Sequence, residues 1–248
     1  MVHCSLSSLG NVVGGADTVV AGLLELLGSS GTLLAMTGWE HDAYHFDDWP
    51  RALQDAYRHD PPPFDPELSE AAREYGRLAE RIRTWPQARH SSHPECRFSA
   101  LGDRARWITA DHPLDHPYGA GSPLAKLVDA GGSVLMLGAP LETITLLHHA
   151  EELAHVAGKR IVHYSCPIKS PAGIEWVAVE DIDSSDGALP YERVVGERDS
   201  FEVIAEEALR AGVGTGGAVG TSVSHLFPAG DLVRFAVSWI EGHFSAGR

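Results

Sequence analysis

The first 36 residues contain two short apolar runs with a longer periodic segment between them, and this order constrains the fold more than any other feature. Residues 1–3 are typical of the end of a strand, and a Ser/Gly-rich turn follows them. Asp17 or Thr18 then caps a predicted helix that runs through Leu27. Residues 31–36 predict a second strand. This order favours a buried sheet with helices packed on it.

The rest of the chain continues in the same mixed pattern. Hydrophobic periodicity predicts helices over 69–85, 143–156, 200–210 and 228–244, a strand over 133–138, and two antiparallel strands over 160–168 and 174–182. Residues 213–227 are a Gly-rich strand and turn. We find no internal repeat and no linker, so the 248 residues predict one mixed α/β domain, 1–248, with a central sheet flanked by helices.

One glycine motif is rejected. Gly212, Gly214 and Gly217 match the spacing of the dinucleotide-binding fingerprint. That fingerprint requires a strand before the glycines and a helix starting from them, whereas here a predicted helix precedes them and none follows.

A long loop region after the second strand is rich in acids and aromatics. It covers residues 38–67 and includes Pro61, Pro62 and Pro63. Loops of this length are uncommon unless they bind something. We therefore expect it to contribute to a substrate site.

The charge balance excludes some partners. Asp and Glu total 34 against 19 Lys and Arg, a formal net charge of −15. The long-range field repels nucleic acids and anionic membranes and attracts cationic small molecules. The alternative is that the acidity only keeps the protein soluble.

Other signals point to a cytoplasmic protein without a metal. No apolar run reaches the roughly 18 residues of a membrane helix, and residues 1–5 do not resemble a signal peptide. Cys4, Cys96 and Cys166 lie far apart and lack metal-ligand spacing, so we expect reduced thiols. The histidine pairs spaced i,i+4 lie in loops, and we expect no metal site there.

His148 is the best candidate for a catalytic base. The strand over 133–138 leads to a helix start, and His148 lies in the second turn of that helix. Substrates often dock at such a position, and an imidazole can take a proton near neutral pH. A carboxylate would have to hold its other ring nitrogen, and the acidic run 180–186 is a candidate source. A purely structural histidine remains the alternative.

Taken together, these motifs resemble the aminoglycoside 3-N-acetyltransferase family of antibiotic-resistance enzymes. The matching stretches occur in family order along nearly the whole chain: 2–10 (VHCSLSSLG) with the glycines at 14–15, 31–33 (GTL), 38–40 (GWE), 64–66 (FDP), 91–94 (SSHP), 121–124 (GSPL), 137–138 (LG) with 145–151 (TLLHHAE), and 180–187 (EDIDSSDG).

The resemblance implies acetyl-CoA as the donor and an aminoglycoside as the acceptor, acetylated at the 3-amine of its 2-deoxystreptamine ring. It implies that His148 is the general base, and we expect Glu180 to orient it. We expect direct transfer within a ternary complex and a monomer or homodimer.

The expected acetyl-CoA contacts follow from the loop over 5–15, which leads into a helix start whose N–H groups can bind pyrophosphate or pantetheine amides. Arg89 and His93 would add positive charge. The predicted set is His3, Cys4, Ser5, Leu6, Ser7, Gly14, Gly15, Arg89, Ser91, His93 and Thr145.

The expected aminoglycoside contacts follow from the charge of that ligand. Its ammonium groups need carboxylates, and its sugar rings need aromatic or apolar surface. The predicted set is Trp39, Glu40, Asp42, Tyr44, Asp65, Glu151, Asp183 and Asp186.

Two departures from the family and two alternative functions remain. Cys4 stands where the family usually has Ser, and the chain starts inside a strand that a helix precedes in the family, so we expect an altered sheet edge. Two other functions are possible for such a chain. It could be a hydrolase or deacetylase that uses the same His, or a non-catalytic protein that sequesters cationic drugs. Release of CoA thiol only when both substrates are present distinguishes the transferase from them.

Overall fold

The computed structural model describes residues 1–39, 46, 48–185 and 187–245. Its strands are β1 (Val2–Cys4), β2 (Thr32–Met36), β3 (Arg89–His90), β4 (Phe98–Gly102), β5 (Ser133–Leu137), β6 (Ile161–Ser170), β7 (Gly173–Ile182), β8 (Thr215–Val219) and β9 (Ser222–Pro228). Its α-helices are α1 (Gly15–Leu27), α2 (Arg51–His59), α3 (Gly76–Arg83), α4 (Ala105–Thr109), α5 (Pro123–Asp129), α6 (Leu146–Leu153), α7 (Glu192–Val195), α8 (Ser200–Arg210) and α9 (Ala229–Phe244). Short 3₁₀ helices cover Leu6–Leu9, Arg73–Tyr75 and Leu141–Thr143.

The mixed α/β class is confirmed, but the single central sheet is wrong. Within the described ranges the strands form a four-stranded sheet in the order β1-β5-β9-β8, a three-stranded sheet β2-β4-β3, and the hairpin β6-β7. The pair β1-β5 is parallel and the other pairs are antiparallel. The first two strands do not pair with each other. Strand β1 pairs with β5, and β2 pairs with β4, both far along the chain. Local periodicity carries no information about such partners.

The start of α1 differs from the prediction. Gly14, at φ +82°, occupies the N-cap position, and neither Asp17 nor Thr18 caps the helix. The Asp17 carboxylate instead pairs with Arg81 of α3, and the Thr18 hydroxyl donates to the Val13 carbonyl at 2.7 Å. A left-handed φ favours glycine, which explains why a residue without a capping side chain stands there.

The predicted helix over 69–85 is shorter, because only Gly76–Arg83 is α-helical. The Ser69 hydroxyl accepts from the Asp65 N–H at 2.9 Å, and the Ala72 N–H donates to the Gly38 carbonyl at 2.7 Å. These bonds hold residues before the helix against the chain that follows β2. The predicted helix over 143–156 is likewise limited to Leu146–Leu153.

Several elements agree closely with the sequence. Strands β6 and β7 pair antiparallel along their full length, and α8 covers the predicted 200–210, capped by the Asp199 carboxylate. Gly217 lies in β8 of a hairpin, so the rejected glycine motif starts no helix.

The main core joins the four-stranded sheet and one face of β2 and β4 to helices α4, α5, α6, α8 and α9, and it supports the start of α6. Leu146 and Leu147 are both fully buried in it, beside Met136 of β5 and Ile240 of α9. Burial of one leucine side chain contributes about 1.5–3 kcal/mol. The two leucines therefore anchor the first turn of α6, where His148 follows directly. In the described part of the chain, no helix has the length and apolar character needed to cross a membrane.

Candidate active site

A cleft of about 1280 Å³ contains His148 and separates α3 from the start of α6. Its walls come from the end of β1 and the turn after it, from residue 39, from the segment 72–79, from residues 139–148, and from the end of β7. Pockets for one small molecule usually measure about 300–1000 Å³. The cleft is therefore large enough for two ligands.

The His148 imidazole has one nitrogen fixed by a buried carboxylate. Its Nδ1 lies 2.8 Å from Oε2 of Glu151, one turn further along α6. The His148 side chain is 17% exposed and that of Glu151 is 1% exposed. Because a carboxylate accepts, Nδ1 carries the proton and Nε2 keeps a lone pair. Among the described residues, Nε2 has no hydrogen-bond partner, so it is available to a ligand in the cleft.

Glu151 is itself fixed by a second donor. The Tyr191 hydroxyl donates to Oε1 of Glu151 at 2.7 Å, which leaves one carboxylate oxygen for each partner. Two hydrogen bonds make this buried carboxylate a rigid acceptor. We call His148 and Glu151 the dyad.

This geometry corrects the predicted partner of His148. Glu180 does not hold His148; its carboxylate lies 2.9 Å from Nε2 of His163 and 3.2 Å from Nε2 of His116. The carboxylate that holds His148 is that of Glu151, which the sequence analysis placed among the substrate contacts. Residues i and i+3 share a helix face, whereas Glu180 points away from the cleft on a strand.

Two aromatic rings fix the plane of the imidazole. Tyr118 stacks on His148 with centroids 4.8 Å apart, and Phe201 of α8 meets it edge-on at 4.7 Å. His149, next in sequence, is buried, and its Nδ1 is bonded to the Tyr118 carbonyl at 2.7 Å. The sequence analysis named neither ring, because both are far from His148 along the chain.

The end of β1 contributes the largest block of predicted acetyl-CoA contacts. His3, Cys4, Ser5, Leu6, Ser7 and Thr145 all line the cleft. Burial lowers the pKa of His3 to about 3, so this imidazole is neutral. Gly14 and Gly15 form the start of α1 and lie outside the described lining of the cleft.

Three further predicted acetyl-CoA contacts lie elsewhere. Arg89 is exposed on β3, outside the described lining of the cleft. The Ser91 hydroxyl accepts from the Phe98 N–H and bonds to His112. Burial lowers the pKa of His93 to about 3, so it supplies no charge, and its two nitrogens bond to the Cys96 N–H and the Leu114 carbonyl. Ser91 and His93 therefore hold the loop that carries Tyr118, since His112 also bonds to the Pro117 carbonyl at 2.8 Å.

Only part of the predicted set of aminoglycoside contacts lies at the cleft in the described structure. Trp39 lines the cleft. Asp65 and Asp183 lie outside its described lining: a hydrogen bond from Lys169 lowers the pKa of Asp65, and Asp183 faces Arg160 at 3.7 Å. The remaining predictions fall outside the described residues: Glu40, Asp42, Tyr44 and Asp186.

The cleft is lined by acids that the predicted set of aminoglycoside contacts does not contain. They are Glu74, Glu95, Glu142 and Asp181. One signal was available for Asp181, because alternation along β7 places it on the same face as Val177 and Val179, opposite Glu180. Val179 is buried, so that face points inward.

The cleft also has guanidinium groups at one wall. Within the described lining, the Arg and Lys side chains are Arg73, in the short 3₁₀ helix before α3, and Arg77, in the first turn of α3. The basic helix face was visible in the sequence, but its orientation toward the cleft was not. In the described part of the chain, no group of three His, Cys, Asp or Glu side chains could hold a metal ion.

A buried histidine–carboxylate dyad that opens into a large cleft is the arrangement of an enzyme that moves protons during catalysis. The comparisons with known proteins identify its family. The aminoglycoside 3-N-acetyltransferase family model matches residues 1–241. Aminoglycoside N(3)-acetyltransferase VII of Streptomyces paromomycinus is 49% identical over 244 residues, covering 97% of this chain and 84% of the relative.

Two solved structures agree. AAC-IIIb in a binary complex with CoASH superposes with a TM-score of 0.90 at 43% identity, covering 100% of this chain and 91% of that one. Sisomicin-bound AAC-VIa superposes with a TM-score of 0.90 at 34% identity, covering 99% of this chain and 91% of that one. The chain belongs to the aminoglycoside 3-N-acetyltransferase family, and it is a transferase of the acyl-transferring class.

Proposed function

We propose that this protein transfers the acetyl group of acetyl-CoA directly to the 3-amino group of the 2-deoxystreptamine ring of aminoglycosides, and that it thereby confers resistance. The observation that carries the proposal is the dyad, whose free Nε2 opens into a cleft large enough for both substrates. The CoASH complex of AAC-IIIb and the sisomicin complex of AAC-VIa support this pair of ligands.

The dyad accounts for the proton transfers of the reaction. An ammonium group cannot attack, so the 3-amine first loses one proton to solvent. Nε2 of His148 then takes a second proton as the amine nitrogen bonds to the thioester carbonyl carbon. Glu151 stabilises the imidazolium that forms. The tetrahedral intermediate then expels the CoA thiolate, which the imidazolium protonates, and the dyad returns to its starting state.

The thiols of the protein support direct transfer rather than an acetyl-enzyme. Burial raises the pKa of Cys4 to about 11, and burial likewise raises the pKa of Cys96 well above its ordinary value. Both line the cleft, yet a thiol is nucleophilic only as a thiolate. At neutral pH neither cysteine is activated.

The charge of the lining suggests how the two substrates divide the cleft. Phosphate groups of acetyl-CoA suit the wall with Arg73 and Arg77, next to the end of β1. Ammonium groups suit the acids on the other walls, with Trp39 as apolar surface for a sugar ring. In this arrangement the backbone of residues 5–7 and the Thr145 hydroxyl lie near the thioester and are candidates to stabilise its oxyanion.

Thiol release measures this function directly. Free CoA should appear only when acetyl-CoA and an aminoglycoside are both present, and NMR should place the new acetyl group on the 3-amine. Substitution of His148→Ala should lower kcat by about 10²–10⁴-fold with binding of both substrates retained in calorimetry. The control is His163→Ala, since His163 is exposed on β6 and lies outside the described lining of the cleft.

Other outcomes would support other functions. Thiol release without an aminoglycoside would indicate a hydrolase, and tight aminoglycoside binding without turnover would indicate a sequestering protein. Ping-pong kinetics would exclude direct transfer. In a susceptible bacterium, the wild-type gene should raise the inhibitory concentration of the drug and the His148→Ala gene should not.

A further inference from the structure

The carboxyl group of Asp181 is buried at the wall of the cleft without a full set of partners. The residue is 1% exposed and lines the cleft near the end of β7. Its Oδ2 lies 4.0 Å from the Cys96 thiol, a weak donor. Its Oδ1 is buried and has no hydrogen-bond partner among the described residues. An unsatisfied buried polar atom costs free energy, which a ligand group placed there would recover.

The surroundings of Asp181 favour a cation over any other ligand. Burial, together with the negative charges of Glu152, Glu151 and Glu95, raises its pKa to about 8, against the opposing effect of a hydrogen bond from the Ile182 N–H. The titratable groups that interact electrostatically with Asp181 include Glu95, Cys96, Tyr118, Glu151, Glu152 and Tyr164. None of these groups is a cation. A bound ammonium would donate to Oδ1 and offset the mutual repulsion of the carboxylates.

We propose that Asp181 determines specificity by binding an ammonium group of the aminoglycoside other than the 3-amine that is acetylated. The proposal rests on the function proposed above. The two amines must be in opposite protonation states. The attacking amine loses a proton to His148, whereas an amine bound at Asp181 keeps its proton because the ion pair stabilises the charged form. A substrate with a hydroxyl at that position would leave the carboxyl without a counter-charge.

The substitution Asp181→Asn tests this while keeping the shape of the side chain. We expect the KM for the aminoglycoside to rise by about tenfold or more, with kcat and the KM for acetyl-CoA changed by less than about threefold. The matched control is Glu175→Gln, because Glu175 lies on the same face of β7 but is exposed and bonds to the Ser170 hydroxyl. It removes the same charge far from the cleft and should leave all three parameters unchanged.

A second measurement reports on the proton of Asp181. Because burial raises the pKa of Asp181 to about 8, unliganded molecules hold this proton in part near neutral pH, and binding of an ammonium should release it. Calorimetry in buffers of different ionisation enthalpy should show this release with the wild type and with Glu175→Gln, and should show less release with Asp181→Asn. The titration needs only the binary complex, so it can succeed even if acetyl transfer fails.

Unfolding temperatures separate binding from a structural role. The folded-state pKa of Asp181 lies above the unfolded one, so its contribution to stability falls as pH rises from about 4 to about 8. Unliganded Asp181→Asn should therefore unfold at the same or a higher temperature than the wild type at pH 8.5. An unchanged aminoglycoside KM, an equal rise in the KM for acetyl-CoA, or a lower unfolding temperature would each overturn the proposal.

Discussion

At the scale of single residues, the chemistry depends on which carboxylate reaches the imidazole of His148. Both Glu151 and Glu180 are close to a histidine, but only Glu151 is buried and bonded to Nδ1 of His148. A buried acceptor fixes the tautomer and stabilises the imidazolium, whereas an exposed carboxylate is screened by water.

Paired substitutions distinguish the two carboxylates. Glu151→Gln should lower kcat by about ten- to a hundredfold or more, because a charge-assisted hydrogen bond contributes about 1.5–3 kcal/mol. Glu180→Gln should leave kcat within about twofold, since its partners are His116 and His163. Steady-state kinetics at saturating concentrations of both substrates measures the effect. A strongly impaired Glu180→Gln beside an active Glu151→Gln would return the role to Glu180.

At the scale of elements, α3 brings positive charge to an otherwise acidic cleft. Gly76, at φ +78°, begins the helix, and a Cβ on it would lie 3.5 Å from the Cys4 carbonyl, so α3 starts beside the end of β1. Arg81 on the same helix pairs with Asp17, and its guanidinium stacks on Trp85 at 4.5 Å. Arg77 has no ion-pair partner among the described residues and lines the cleft.

The arginine at the start of α3 should therefore bind acetyl-CoA through phosphate. We expect Arg77→Gln to raise the KM for acetyl-CoA by about tenfold, with the aminoglycoside KM unchanged. With acetyl-pantetheine, which lacks the phosphates, the wild type and the variant should be equal. Arg89→Gln on β3 is the matched control, because it removes the same charge outside the cleft. If Arg89→Gln has the larger effect on the acetyl-CoA KM, the phosphates lie on the other side of the protein.

At the scale of the whole molecule, the net charge of −15 and the acids of the cleft act in the same direction. A negative field around a negatively lined cleft accelerates the encounter with a polycation. The same field opposes the approach of acetyl-CoA, which must then be bound through local groups.

Salt should therefore affect the two substrates differently. When NaCl is raised from about 20 to about 500 mM, kcat/KM for the aminoglycoside should fall by tenfold or more, because the Debye length shrinks to a few ångströms. For acetyl-CoA, kcat/KM should stay level or rise. Initial rates with each substrate varied in turn measure both dependences. A parallel decline for both substrates would show that salt acts on the fold or on the dyad and that long-range attraction has little part.

The sequence by itself determined the local elements, the family and the general base candidate. The β6-β7 hairpin, α8 and α9 lie where hydrophobic periodicity predicts them, because each is specified by residues close together in the chain. His148 was identified from a strand followed by a helix start, which is also local information. The ordered motifs identified the family for the same reason.

Only the tertiary structure decided how the sheets assemble and which charged groups meet in the cleft. Strand β1 pairs with β5 and β2 with β4, partners that no local pattern specifies. The burial of Glu151 against Tyr191, the burial of Asp181 at the cleft wall and the direction of Arg77 depend on packing between distant segments. Residue type and spacing show which charges a chain has, but burial and geometry decide which of them can act on a substrate.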